Sequence, residues 1–146
     1  MTTGGKLNES LFHGDTINTP SMLCVADYLD ALAWCDSVGG VAGAIARSQA
    51  NLRVVEEFVA AHTWVSFLAQ APGTLSNTSV CLLVDLPADR VRAMVQLLDA
   101  EGVAYDIGSY KDAPPGLRLW CGATVEQGDL QALMPWLEWA YGQVQV

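Results

Sequence analysis

Basic residues are scarce in this chain. Seven lysines and arginines stand against sixteen aspartates and glutamates, a formal net charge of −9 over 146 residues. Nucleic acid is therefore not an expected partner, because its binding rests on basic side chains neutralising phosphates. A small anionic ligand is not excluded, since it needs only local positive charge. Long apolar runs are missing too: none reaches the ~18 residues of a membrane span. Residues 1–10 are polar and carry no signal-peptide pattern, so a cytoplasmic protein with no membrane partner is the expectation. Cys24, Cys35, Cys81 and Cys121 form no Cys-x-x-Cys pair, and their apolar neighbours read as reduced core cysteine. His13 and His62 make no metal-ligand spacing with each other or with cysteine, so no metal site is expected. The chain has no glycine-rich phosphate loop, no Gly-x-Ser-x-Gly elbow and no His-Glu-x-x-His. Asp27, Asp30, Glu56, Glu57 and Asp99 fall on polar helix faces, and no nucleophile stands beside a base. No catalytic residue is expected in this chain, which reads as part of a site.

What is present suffices for one domain with a real core: 51% of residues are hydrophobic and 16% charged. Residues 1–17 show no period, and Leu7, Leu11, Phe12 and Ile17 are scattered among glycines, as in an arm. Thr19 suits a helix N-cap and Pro20 the first helical position. Leu23, Leu29, Leu32 and Ala33 then recur at helical spacing until Gly39-Gly40. A second helix is expected over residues 41–62, with Ile45, Leu52, Val55 and Val59 as its apolar stripe. A short extended segment comes next at 64–68 and a turn at 71–74. Residues 79–85 read as a strand covered on both faces. Pro87 opens a helix with Val91, Met94, Val95 and Leu98 on one side, ended by Gly102. Val103–Ile107 reads as another strand. Thr124 and Gln127 make a capping-box pattern before a last helix carrying Leu130, Leu133, Met134, Leu137 and Tyr141, which Pro135 should bend. The expected fold class is α+β: a short-stranded, largely antiparallel sheet with helices packed on one face.

The most informative stretch is Asp112-Ala113-Pro114-Pro115-Gly116-Leu117-Arg118-Leu119-Trp120-Cys121-Gly122. Alternation puts Leu117, Leu119 and Cys121 on one face of a strand and Arg118 and Trp120 on the other. An arginine set in such a strand costs free energy unless something anionic meets it. Two readings stay open: an ion pair within the chain, or a clamp for a ligand carboxylate, which a guanidinium fork fits with two parallel hydrogen bonds. A helix entrance at Asn18-Thr19 likewise reads as capping alone or as an anion site.

Several of these words resemble phosphoserine aminotransferase in the form typical of proteobacteria. They are Asp15-Thr16-Ile17-Asn18-Thr19-Pro20-Ser21-Met22-Leu23-Cys24-Val25, Ser76-Asn77-Thr78-Ser79-Val80-Cys81-Leu82, Glu101-Gly102-Val103-Ala104-Tyr105-Asp106-Ile107-Gly108 and the run Ala113–Glu126. The resemblance implies a homodimeric fold-type-I enzyme that uses pyridoxal phosphate. Such an enzyme moves an amino group from glutamate to 3-phosphohydroxypyruvate in serine biosynthesis. It implies an arm from the interdomain region over 1–19 and a C-terminal small domain with its connecting helices over 20–146. The Schiff-base lysine would lie upstream and be missing, so the chain alone is expected to be inactive and to bind no cofactor. By the same resemblance Arg118 would bind the small anionic substrate through its α-carboxylate. Asn18 and Thr19 would reach the cofactor phosphate of the neighbouring subunit. Tyr110-Lys111 stands where the family often places His-Arg or Tyr-Arg for the substrate phosphate; lysine keeps the charge and loses the planar fork. The competing reading is a non-catalytic, self-associating α+β module. A ferredoxin-like sensor fits the element order but has no motif behind it.

Overall fold

A computed structural model describes residues 2–16 and 18–145; Ile17, counted above among the arm's apolar residues, lies outside them. The chain divides into two compact units, Met1–Gly40 and Val41–Val146.

The first unit opens with two-residue strands, β1 (Thr2–Thr3) and β2 (Lys6–Leu7), paired antiparallel. Gly4 and Gly5 between them both have positive φ, +59° and +77°, the pair of values a tight hairpin turn demands. A 3-10 turn over Glu9–His13 comes next, started by Asn8, whose Oδ1 accepts from the Ser10 backbone N–H and hydroxyl. Neither feature has a periodic signal in the sequence. Helix α1 spans Met22–Ser37. Its N-cap is Ser21 and not Thr19: the Ser21 hydroxyl accepts from the Cys24 N–H at 3.4 Å, so the helix starts two residues later than Pro20 suggested. It ends where expected, at Val38 and a left-handed Gly39. No residue of α1 is buried; Leu23 is 71% and Leu29 59% exposed. Cys24 is accordingly exposed, against the expectation of a core thiol.

The second unit carries the core. Helix α2 (Gly40–Ala61) leads into β3 (Val65–Phe67), a 3-10 turn at Pro72–Thr74, β4 (Ser79–Val84), α3 (Ala88–Ala100), β5 (Gly116–Trp120) and α4 (Gln127–Val144). The sheet has order β3-β4-β5 and is antiparallel throughout, with Val65 opposite Val84, Leu82 opposite Leu117 and Cys81 opposite Arg118. Val80, Leu82, Val84, Leu117 and Leu119 are buried in one core with Val55 and Phe58 of α2, Met94 and Leu98 of α3 and Leu130 and Leu137 of α4. Each such side chain contributes about 1.5–3 kcal/mol by leaving water. Along β4 burial alternates: Ser79, Cys81 and Leu83 are only half-buried, so this strand is covered on one face and not on two.

Three further expectations are corrected. The buried stripe of α2 is Ser48, Asn51, Val54, Val55 and Phe58, while Ile45 is 49% exposed and Leu52 and Val59 are half-buried. The stripe runs through two polar residues because Asn51 has partners: its Nδ2 donates to the carbonyls of Cys121, Gly122 and Val125 at 3.2, 3.2 and 2.9 Å. The segment Val103–Ile107 is not a strand. The Val103 and Ala104 N–H groups both donate to the Leu98 carbonyl, closing α3 past the left-handed Gly102, and Asp106 turns the chain at φ +51°. This segment adds no strand to the sheet; an isolated bridge, Gly108 to Leu117, follows it. The capping box is not formed: Glu126 is the N-cap of α4 and makes no side-chain cap, its carboxylate being held by Arg47. Helix α4 runs on through Pro135, whose ring is exposed, and Tyr141 stacks on Trp64 with ring centroids 4.0 Å apart.

Candidate active-site surface

The alternation read from Leu117 to Cys121 holds. Leu117, Leu119 and Cys121 are 1%, 1% and 0% exposed, while Trp120 is exposed and the Arg118 side chain keeps 26% of its surface. Burial pushes the Cys121 thiol up to about 11, so it stays protonated as an inert apolar group. Cys35 and Cys81 are half-buried, which leaves Cys121 as the core cysteine among the four.

Arg118 has found an acid in its own chain. Its Nη2 donates to Asp106 Oδ2 at 2.9 Å and to the Asp106 carbonyl at 3.2 Å. The bond to Asp106 holds the guanidinium above its ordinary pKa, with partial desolvation working the other way. The approach is fixed by backbone: the Arg118 N–H donates to the Ile107 carbonyl at 2.8 Å, and aspartate tolerates the left-handed turn at 106. On another side the guanidinium carbon lies 4.8 Å from the Tyr110 ring centroid, in reach of a cation–π contact. The Tyr110 hydroxyl is 3.3 Å from Ser79 Oγ, which ties this loop to β4.

The ion pair does not close the site. Asp106 is 91% exposed and occupies one nitrogen of the fork. Arg118 Nε is shut off from solvent and has no partner among the described residues. Pairs this exposed are worth little in water, because solvent screens both charges. Arg118 also lines an open cleft of about 390 Å³, with Asp106, Trp120 and Asp129 around it and Leu130 and Leu133 behind. Arg118 is thus paired within the chain, the first of the two readings, and it also fronts a cleft.

The other expected site residues separate. Tyr110 and Lys111 line a second cleft, about 440 Å³, between α3 and the 108–116 loop. Asn18 and Thr19 belong to the first unit, are exposed, and make no side-chain hydrogen bond among the described residues. Sequence reasoning missed Asp106 as the partner of Arg118, Tyr110 as its aromatic neighbour, and the two residues that anchor the turn after β5. Of those two, Asn51 holds the 121–125 turn, and Arg47 donates from Nε to the Ala123 carbonyl at 2.7 Å. An asparagine in helical phase with Val55 and Phe58 was the available signal for Asn51. Among the described residues no group of three His, Cys, Asp or Glu side chains is placed to hold a metal ion. No single helix there is long and apolar enough to cross a membrane.

Helices packed on a short three-stranded antiparallel sheet are a fold this chain shares with solved phosphoserine aminotransferases. A phosphoserine aminotransferase structure concerned with radiation damage of its Schiff base superposes on 92% of the chain, and on 37% of its own, with a TM-score of 0.79 at 13% identity. The phosphoserine aminotransferase of Bacillus circulans subsp. alkalophilus covers 86% of the chain and 34% of its own at 0.77 and 15%. No protein-family model matches. In sequence the chain is 54% identical over 144 residues, 99% of its length, to phosphoserine aminotransferase of Methanosarcina barkeri, and 53% identical to that of Methanosarcina mazei. It is thus a sequence relative of the phosphoserine aminotransferases, matched over essentially all of its own length, and it spans 39% of theirs.

Proposed function

We propose that this chain is the C-terminal part of a phosphoserine aminotransferase. The whole protein, a cytoplasmic homodimer, transfers an amino group from glutamate to 3-phosphohydroxypyruvate with pyridoxal phosphate. The observation that carries this reading is the 54% identity across 144 residues. In it Arg118 receives the substrate α-carboxylate on the donors that Asp106 leaves free, and Tyr110 steadies the guanidinium from its ring face. Lys111 faces the substrate phosphate. Asn18 and Thr19, exposed and without side-chain partners among the described residues, donate to the cofactor phosphate of the neighbouring subunit.

In this reading the cofactor is held mainly by parts of the enzyme other than this chain. The chain has two lysines: Lys6 is exposed in the β1–β2 hairpin and Lys111 is exposed at the rim of the α3 cleft. Neither is enclosed in the apolar surroundings that lower a lysine's pKa and activate it as a nucleophile. In the whole enzyme the cofactor supplies the electron sink, and this part binds and orients substrate. The test is chemical. One equivalent of pyridoxal phosphate and then borohydride should leave no stoichiometric pyridoxyl group on the 146-residue chain. A full equivalent fixed at Lys6 or Lys111, found by mass spectrometry, would contradict the reading.

A second reading has its own observation: α1 presents Met22, Leu23, Tyr28 and Leu29 more than half exposed, and no residue of it is buried. The occupant it fits is a second copy of the chain, making a non-catalytic self-associating module. Sedimentation equilibrium tests this second reading. A concentration-dependent dimer supports self-association, and a clean monomer at high concentration removes it.

A further inference from the structure

The polar and aromatic contacts on the Arg118 guanidinium all come from one short stretch, 106–110. Asp106 offers Nη2 both its Oδ2, at 2.9 Å, and its backbone carbonyl, at 3.2 Å. Tyr110 covers the guanidinium from the side, with its ring centroid 4.8 Å away. The stretch is itself fastened to β5: the Arg118 N–H donates to the Ile107 carbonyl, and Gly108 bridges to Leu117. Both Asp106 contacts fall on Nη2, and Nη1 makes no hydrogen bond among the described residues. Arg118 and Asp106 line the same open cleft.

Stability does not account for this arrangement. Asp106 is the one non-glycine residue with positive φ among those described, at +51°. Such a conformation disfavours residues that carry a side chain, aspartate and asparagine least. The carboxylate held there is 91% exposed, and solvent screens an ion pair so placed. What the contact fixes is direction. A long side chain facing an open cleft samples many rotamers, and ordering it when a ligand arrives costs free energy. Two oxygens of one residue on one nitrogen, with a ring against the guanidinium, remove most of that freedom in advance.

We propose that Asp106 is a positioning residue: it aims the Arg118 fork into the cleft, so that a substrate carboxylate meets donors already in place. The proposal rests on the aminotransferase reading, in which Arg118 receives that carboxylate. Asp106 touches no substrate and acts only through Arg118. Lost ordering weakens ground state and transition state alike, so it raises KM and leaves kcat. Glutamate and 3-phosphohydroxypyruvate each carry a carboxylate beside the reacting carbon, so the effect should fall on both.

The experiment uses a complete enzyme in which this chain replaces the matching segment of the Methanosarcina barkeri relative. Asp106→Gly removes the carboxylate and suits the left-handed turn, so the loop keeps its course. KM for both substrates should rise by roughly 3- to 10-fold, with kcat within about twofold. Asp106→Asn keeps an acceptor oxygen and tolerates the same turn, so it should recover most of the loss. With Arg118→Lys already present, Asp106→Gly should change KM by less than about twofold, because the fork it aims is gone. An equal rise in KM with and without Arg118→Lys marks a general loop effect and overturns the proposal. So does a fall in KM, which makes Asp106 a competitor of the substrate. Unchanged KM in Asp106→Gly, beside a crippled Arg118→Lys enzyme, overturns the positioning role and leaves the role of Arg118 standing. Unchanged kinetics in both variants removes the carboxylate role of Arg118, and the proposal with it.

Discussion

Gly116→Ala should lower the melting temperature by about 10 °C, a loss on the order of 3 kcal/mol. Gly116 is the first residue of β5, and a Cβ there would stand 1.9 Å from the Leu82 carbonyl oxygen and 3.0 Å from its carbon. Both atoms are backbone, so no rotamer change relieves the clash. Leu82 also pairs with Leu117 and Leu83 with Gly116, and pushing β4 away would break the ladder that carries Arg118. Domains of this size are stable by only about 5–15 kcal/mol, so the variant would be largely melted under mild heating. Gly128→Ala is the control. A Cβ there meets nothing within 4 Å, and alanine favours the helix it sits in, so that variant should melt at the same temperature or slightly higher. Thermal denaturation monitored by circular dichroism decides. A Gly116→Ala protein melting within about 2 °C of the parent would mean that the close approach is not rigid.

Arg118→Lys should cut turnover sharply and leave the fold alone. The protein to use is a complete enzyme in which this chain replaces the matching segment of the Methanosarcina barkeri relative. A lysine keeps the charge and loses the fork, so the second parallel bond to a carboxylate is gone. The specificity constant should fall by roughly 30- to 1,000-fold. The melting temperature should move little, since the one salt bridge lost is to an Asp106 side chain that is 91% exposed. Unchanged kinetics with the same melting temperature would remove the clamp assignment. A large drop in melting temperature would instead mark the arginine as a structural brace.

Much of the second unit was legible because its signals are local and periodic. The Val91, Met94, Leu98 spacing of α3 and the strict alternation around Arg118 each arise from one face meeting one core. The errors have physical causes of a different kind. Hydrophobic periodicity could not see that Asn51 belongs in the core, because what qualifies it is three carbonyls 70 to 74 residues away. Val103–Ile107 reads as a strand because the residues have strand propensity. Their first two N–H groups are instead drawn back to Leu98, a contact made by the helix end before them. In α1 the pattern does mark a helix, but its apolar residues are exposed, so periodicity alone did not show burial.

The candidate site divides in the same way. Arg118 was visible as an arginine out of place in an apolar strand. Its relation to Asp106 was not, because it depends on a left-handed turn twelve residues earlier and on the pairing of Arg118 with Ile107.

The most direct test of the carboxylate role is a crystal structure of that complete enzyme with phosphoserine bound. Both carboxylate oxygens should lie within hydrogen-bond distance of the Arg118 guanidinium, with Asp106 kept to Nη2 or displaced into solvent. A bound phosphoserine whose carboxylate is held by other residues, with Arg118 engaged by Asp106 alone, would contradict the account.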